Sequence, residues 1–104
     1  GVLARQGRLA EARKYLQGLS PGDAQQRLQL TLAEAALLRE AKAYQEAFDF
    51  LGAAVTASPD TPDLIYDYAM SAEKVNRFDV METNLRRLIA LRPTHAHAFN
   101  ALGY

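Results

Sequence analysis

The 104-residue sequence contains no cysteine, which excludes disulfide bonds and thiolate metal sites. The compartment stays open, because reducing and oxidising environments both tolerate such a chain. Long hydrophobic runs are also absent, and the longest apolar stretches are far too short for insertion across a bilayer. The formal net charge is zero, so we expect no overall attraction to nucleic acid or to anionic lipid.

Histidine is scarce, and the sequence has only His95 and His97. Two positions apart on a helix, their side chains point to different sides, unlike the i, i+4 pair that a helical metal site needs. We therefore expect surface roles for both. The sequence has no Gly-rich phosphate loop and no Ser/His/Asp set. It predicts no enzyme activity, no metal and no cofactor.

Two groups of charged residues have a structural explanation that we prefer to a functional one. Asp63 and Asp67 share a helix face at i, i+4, but no base or nucleophile accompanies them, and we expect solvated charge. Arg86, Arg87 and Arg92 lie near the predicted end of a helix, where cations interact favourably with the helix dipole. A nucleic-acid patch is the alternative for these arginines.

The ends of the sequence are typical of helix interiors. The chain does not begin with Met, and it carries no signal peptide. We therefore expect a segment of a longer protein, with targeting signals and partner domains outside it.

What the sequence does contain is self-similarity at an interval of 34 residues. The recurring sets are Thr31, Ile65 and Phe99; Ala35, Ala69 and Gly103; Tyr44 and Phe78; Leu51 and Leu85; and Pro59 and Pro93. Leu and Ala dominate the apolar content, which favours helix over strand. A period of this length in a helix-forming chain indicates a stacked helix–turn–helix array. Before residue 23 the interval slips to 35 residues, with the additional residue in the turn cluster at 20–23.

Hydrophobic periodicity predicts the individual helices. We expect helices over residues 23–41 and 44–57, a third that starts at Pro62 and ends within the segment 74–77, a fourth over 79–91, and a further helix from Thr94 onwards. Thr61 is the predicted N-cap of the third of these, and Pro62 its first residue. The predicted core residues are Leu28, Thr31, Ala35, Leu38, Ala47, Phe48, Leu51, Ala54, Val55, Ile65, Tyr68, Ala69, Ala72, Met81, Leu85, Leu88 and Ile89.

Three positions matter for backbone geometry. Asn76 is able to adopt the left-handed conformation of a tight turn. Gly7 and Lys42 occupy the matching places, and for Lys42 we expect a strained or differently shaped turn.

Met81 stands where Ala47 stands one repeat earlier, so this helix crossing must be wider or repacked.

These positions resemble the tetratricopeptide repeat (TPR), which combines large, small and aromatic residues at fixed places with a closing proline. The pattern is carried by Thr31, Ala35, Tyr44, Ala47 and Pro59, and again by Ile65, Ala69, Phe78, Met81 and Pro93. The resemblance spans a half repeat over residues 1–20, repeats over 28–61 and 62–95, and a partial repeat over 96–104. It implies one all-α domain, a TPR-like α-solenoid in which antiparallel helix pairs form a superhelical stack. Its implied function is that of a non-catalytic scaffold for protein–protein interaction.

In such a stack the first helix of each pair lines a concave face, which the resemblance implies to be a groove for a peptide or protein segment. The predicted groove residues are Gln29, Leu32, Ala36, Arg39, Glu40, Asp63, Tyr66, Met70, Glu73, Lys74, His97, Asn100 and Tyr104. We expect Leu32, Tyr66, Met70 and Tyr104 to be exposed among charged residues, a mixture typical of binding hot spots. The alternative is that this stripe is part of a packing surface.

Some TPR domains hold a partner's C-terminal carboxylate with Lys, Arg and Asn side chains on this stripe. The matching places here carry Leu32, Ala36, Tyr66 and Met70, so we expect no such clamp.

A second resemblance, over residues 63–104, is to long proteobacterial TPR proteins of the cell envelope. Some of these are outer-membrane lipoproteins that act as adaptors for proteases. The segments 66–70 and 95–104 carry this resemblance. It favours a bacterial protein in the periplasm or at the outer membrane over a cytoplasmic one.

Two other functions stay open at the level of sequence: an accessory domain of a larger enzyme or regulator, and an end-to-end self-assembly module. Val2, Leu3, Phe99 and Leu102 belong to predicted terminal helices whose stacking neighbours are not in this sequence. Repeat arrays need polar caps to stay soluble. We therefore expect self-association through an end, with the last helix pairing with another copy as a homo-oligomer.

Overall fold

The computed structural model describes the backbone of residues 2–91 and the side chains of residues 7–91. This part of the chain contains no strand and folds into α1 (Val2–Gly18), α2 (Ala24–Glu40), α3 (Tyr44–Ala57), α4 (Pro62–Lys74) and α5 (Phe78–Leu91). The all-α fold class is therefore confirmed. The boundaries predicted for α2, α3 and α5 agree to within one residue, and α4 starts at Pro62 and ends at the first residue of the predicted segment 74–77. The helix predicted from Thr94 lies outside the described residues.

Helices α2 and α4 begin in different ways. The Asp23 side chain caps α2, because its Oδ1 accepts a hydrogen bond from the Gln26 amide at 2.8 Å. Thr61 occupies the N-cap position of α4 in an extended conformation, but its hydroxyl accepts no capping hydrogen bond. The predicted N-cap position of Thr61 is thus confirmed, although its side chain takes part in no capping hydrogen bond. Pro62 lacks an N–H and has φ preset for a helix, so α4 begins without a hydroxyl cap.

The turns that end α2 and α4 have the same backbone conformation. Lys42 has a φ of 60° and Asn76 a φ of 62°, so both lie in the left-handed region. The closing hydrogen bonds run from Ala43 N to Leu38 O and from Arg77 N to Ala72 O, each at 2.8 Å. The two turns are thus built alike at an interval of one repeat. The turn at Lys42 has the ordinary shape and bears the strain of a side chain in that region.

The turn predicted at Gly7 is not formed, because α1 runs without a break from Val2 to Gly18. At Lys42 and Asn76, two helices pack against each other across the turn and hold it closed. At Gly7 the backbone instead stays helical.

Two clusters of buried apolar side chains hold the stack together. The first lies between α4 and α5 and contains Ile65, Ala69, Leu85 and Leu88. The second joins α2, α3 and α4 through Ala35, Leu51 and Leu64. Each helix packs against the next along the chain, and α2 also contacts α4. The predicted core is largely confirmed, although Leu28, Thr31, Ala54, Val55, Tyr68, Met81 and Ile89 are half-buried, and Leu64 was not predicted.

Met81 shows how a large residue is accommodated at a crossing where its counterpart is alanine. Ala47 is fully buried, whereas Met81 is half-buried and packs against the first cluster. The longer side chain therefore lies at the edge of the crossing, and the packing is rearranged there.

A buried carboxylate that sequence patterns did not reveal attaches α1 to the rest of the stack. Glu34 is 5% exposed, and its Oε2 accepts hydrogen bonds from Arg13 Nε at 2.9 Å and from Gln17 Nε2 at 3.0 Å. The Arg13 guanidinium also lies 5.9 Å from the centre of the Phe50 ring. Because a buried charge is costly unless it is paired and hydrogen-bonded, these contacts fix the position of α1 on α2.

The strain at Lys42 gives a stability prediction. A side chain in the left-handed region costs about 1–2 kcal/mol, while glycine loses about 0.5–1 kcal/mol more chain entropy on folding. We therefore expect Lys42→Gly to raise the free energy of unfolding by about 0.5–1 kcal/mol, measured by urea denaturation. Asn76→Gly is the matched control and should change stability less, since asparagine tolerates this conformation. An equal effect of the two substitutions would contradict the strain at Lys42.

Candidate peptide-binding face

The predicted groove residues of α2 and α4 form a row that we call the inner stripe. Its members are Gln29, Leu32, Ala36, Arg39 and Glu40 on α2, and Asp63, Tyr66, Met70, Glu73 and Lys74 on α4. Spacings of three and four residues place each set on one side of its helix. The other predicted groove residues, His97, Asn100 and Tyr104, lie outside the described part of the chain.

The apolar residues of the inner stripe are half-buried, which corrects the prediction that they are exposed. Leu32 packs against the second buried cluster, and Tyr66 and Met70 pack against the first. The side chains are long enough to lean from the side of the helix onto the core. The polar members Gln29, Glu40, Asp63, Glu73 and Lys74 are exposed. The stripe therefore offers partly exposed apolar surfaces bordered by polar groups.

An ion pair connects α2 to α4 at the inner stripe. Arg39 Nη1 lies 3.2 Å from Asp67 Oδ2, and the Asp67 side chain is only 18% exposed. The prediction that Asp67 is a solvated charge like Asp63 is thus wrong, because the first helices of successive pairs lie side by side and cover it. Opposite charges on the facing sides of successive first helices are a sequence signal that could have revealed the pair.

Burial raises the pKa of Asp67 above its usual value of 3.8. The attraction and hydrogen bond of Arg39 lower this pKa, and the negative charge of Asp63 raises it again, but burial has the largest effect. The net rise means that Arg39 does not fully offset the loss of hydration. A half-buried acid with a raised pKa is a frequent property of functional sites, although structural ion pairs show it too.

Aromatic contacts fix α4 against α3 beside the stripe. The rings of Phe48 and Tyr68 stack with their centres 5.0 Å apart, and Lys74 Nζ lies 5.7 Å from the centre of the Tyr44 ring. Gly52 permits this approach, because a Cβ added there would lie only 3.3 Å from Tyr68. The ammonium group at the end of the inner stripe is therefore already in contact with an aromatic ring.

A depression of about 650 Å³ lies away from the inner stripe, beside the N-termini of α2 and α4. Pro21, Arg27, Leu28 and Leu64 are among the residues that line it. Asp23 also borders it, but its carboxylate already caps α2. The depression brings together no combination of side chains that suggests catalysis.

The other predicted charge groups are surface features. Arg86 and Arg87 form ion pairs with Glu82 and Asp60, each at 2.8 Å, whereas Arg92 lies outside the described residues. Within the described residues, no group of three or more His, Asp or Glu side chains could hold a metal ion. His95 and His97 are not among them. None of the described helices is long and apolar enough to cross a membrane.

The fold and the inner stripe together define a helical-repeat protein, in which successive helix pairs stack with the same turn and with a buried alanine, Ala35 or Ala69, at the same place of the first helix. No protein-family model matches the chain. Over 103 residues the chain is 35% identical to the TPR repeat-containing protein PA4667 of Pseudomonas aeruginosa, a match that covers 99% of this chain. This similarity and the five-helix stack confirm the resemblance to tetratricopeptide-repeat proteins that the repeat pattern predicts. It spans 18% of the length of this curated bacterial relative.

Asp67 makes stability depend on pH in a defined direction. Because its pKa is raised above 3.8 in the folded state, its contribution to stability is complete below that value and is lost as the pH rises through the folded pKa. Asp67→Asn does not titrate. We therefore expect its free energy of unfolding to rise relative to wild type between about pH 3 and about pH 6.

Urea denaturation across that range measures this difference. Asp49→Asn, at an exposed position on α3, is the control for the loss of one negative charge. A decrease in the stability of Asp67→Asn relative to wild type with rising pH would mean that the pKa of Asp67 is lowered instead.

Proposed function

We propose that this chain is a non-catalytic interaction module that binds a segment of another protein along the inner stripe. The observation that carries the proposal is the continuity of half-buried Leu32 and Ala36 on α2 with Tyr66 and Met70 on α4, bordered by exposed polar residues. Apolar anchors within a polar rim are typical of protein interfaces. Similarity to a TPR repeat-containing protein supports the same class of function, since stacked helical repeats form extended binding surfaces.

The bound segment would place apolar side chains on the partly exposed surfaces of Leu32, Tyr66 and Met70. The core clusters already hold these three side chains from below, so little rotamer freedom is lost on binding. No cationic clamp stands at the places where some TPR domains hold a C-terminal carboxylate. We therefore propose that an internal segment of the partner is recognised.

The proposal concerns the module alone, because the chain spans 18% of the length of its relative. Within it we propose the repeat units 28–61 and 62–95, preceded by a half repeat over 1–20 and followed by part of another over 96–104. An enzyme or regulator that carries the module as an accessory domain would use the same inner stripe. A bacterial cell-envelope location stays a prediction.

A matched pair of lysine substitutions tests the binding site. Ala36→Lys places a long cation in the middle of the inner stripe, and Ala53→Lys places it on the exposed surface of α3. A synthetic peptide library serves as the probe. We expect peptides selected by the wild-type chain to bind Ala36→Lys at least tenfold more weakly, which is a loss of about 1.4 kcal/mol in binding free energy. The same peptides should bind Ala53→Lys as tightly as they bind the wild type.

Circular dichroism and thermal melting confirm that both variants are folded. Tight binding of the selected peptides to Ala36→Lys would place their site elsewhere on the chain.

End-to-end self-association is a second candidate, favoured by the exposed apolar residues of α5. Phe78 is 54% exposed and Leu91 42% exposed, whereas Tyr44, the counterpart of Phe78 one repeat earlier, is half-buried beneath Lys74. Among residues 7–91, nothing covers Phe78 in the same way. A second copy of the chain could supply that cover.

Sedimentation velocity over a roughly hundredfold range of concentration tests this candidate, since association depends on mass action. We expect the average mass to rise with concentration and Phe78→Asp to abolish the rise. Tyr15→Asp is the control, at a 70% exposed aromatic on α1. A wild-type mass that equals the monomer at every concentration would rule out self-association.

A further inference from the structure

We propose that the segment bound by the inner stripe carries a lysine or arginine next to apolar residues, and that Asp63 and Asp67 receive its cationic group. This inference rests on the proposed function and names the chemistry of its partner. The docking surface is acidic and apolar, so its charge is opposite to that of a cationic clamp that holds a carboxylate.

The first argument is the distribution of paired and unpaired carboxylates. Elsewhere on the surface, carboxylates have arginine partners in the pairs Glu46–Arg13, Asp60–Arg87, Asp79–Arg77 and Glu82–Arg86, while Glu11, Asp23 and Asp49 form no ion pair within residues 7–91. On the inner stripe, Glu40, Asp63 and Glu73 form no ion pair within the same residues. Together with Asp67, these carboxylates outnumber the two cations of the stripe, Arg39 and Lys74, so negative charge is in excess here although the sequence has no net charge. A cationic segment would complement it.

The second argument is the incomplete compensation of Asp67. Arg39 is the one described cation paired with it, with Nη1 3.2 Å from Oδ2. Asp63 lies one helical turn earlier on the same face, and its negative charge acts on Asp67. Two neighbouring carboxylates thus repel each other where only Asp67 is paired with an arginine and where burial weakens its hydration. A further cation would be attracted more strongly here than at a fully exposed pair.

The third argument is a polar atom without a partner next to this pair. Ser71 is 2% exposed, and its hydroxyl forms no hydrogen bond within the described part of the chain. Ser71 follows Asp67 by one helical turn and lies on the same side of α4. The polar groups of this junction are not all satisfied by the protein itself.

The apolar members of the stripe explain why a long cationic side chain fits. Tyr66 and Met70 lie within one turn of Asp67 on α4 and keep part of their surface exposed. The methylene groups of a lysine or arginine can lie on these residues while the charged end reaches Asp63 and Asp67.

A peptide array tests the inference on the wild-type chain. Each peptide has a central Lys, Arg, Glu or norleucine flanked by randomised apolar residues. We expect Lys and Arg peptides to bind about tenfold more tightly than Glu peptides, and this preference to shrink as salt is raised. Asp63→Lys should abolish the preference or reverse it. Asp79→Lys is the matched control, because Asp79 is also the exposed second residue of its helix, and should retain the preference.

The outcomes separate this inference from the function on which it rests. In one outcome, Ala36→Lys weakens peptide binding, but peptides with a central Lys, Glu or norleucine bind the wild-type chain equally well. This result would overturn the cationic preference and leave the proposed binding face intact. A preference unchanged in Asp63→Lys would overturn the assignment to Asp63 and Asp67. Failure of every peptide to bind, or binding insensitive to Ala36→Lys, would overturn both.

Discussion

The close approach of neighbouring helices through alanine is the constraint on which the rest of the structure depends. Ala35, Ala47 and Ala69 are fully buried, and side chains of this size let helices cross at ~8 Å, the lower end of ordinary packing. A larger residue forced into such a crossing typically costs about 1–3 kcal/mol. The half-buried position of Met81 shows how the array avoids that cost, since its side chain lies at the edge of the crossing.

This packing creates the inner stripe. When each helix pair closes tightly and stacks on the next, α2 and α4 come into contact, and residues far apart in sequence become neighbours. The contact between Arg39 and Asp67 is one result. The continuous row of Leu32, Ala36, Tyr66 and Met70 is another. The surface proposed for binding thus depends on the same close approach that stabilises the core.

Two local features act against the stability of the array. Lys42 holds a left-handed conformation in which glycine or asparagine would be less strained, and nothing in the structure explains the choice of lysine there. Asp67 is retained in a half-buried place where burial raises its pKa. Departures from local rules are expected at functional sites. The second departure lies on the surface proposed for binding, and the first does not.

The sequence by itself determined the repeat, the helix boundaries, the left-handed turn at Asn76 and most of the core. These properties depend on the spacing of residues along the chain, and this spacing can be read directly from the sequence.

Other features were missed or mispredicted because they depend on which helices face each other. The burial of Glu34 requires α1 to lie against α2, and the half-buried pairing of Asp67 requires α2 to lie beside α4. The sequence also hid the local excess of negative charge, because its total charge is zero. Only the tertiary structure decided which carboxylates meet an arginine and which face the inner stripe alone, since electrostatic interactions depend on distance and burial.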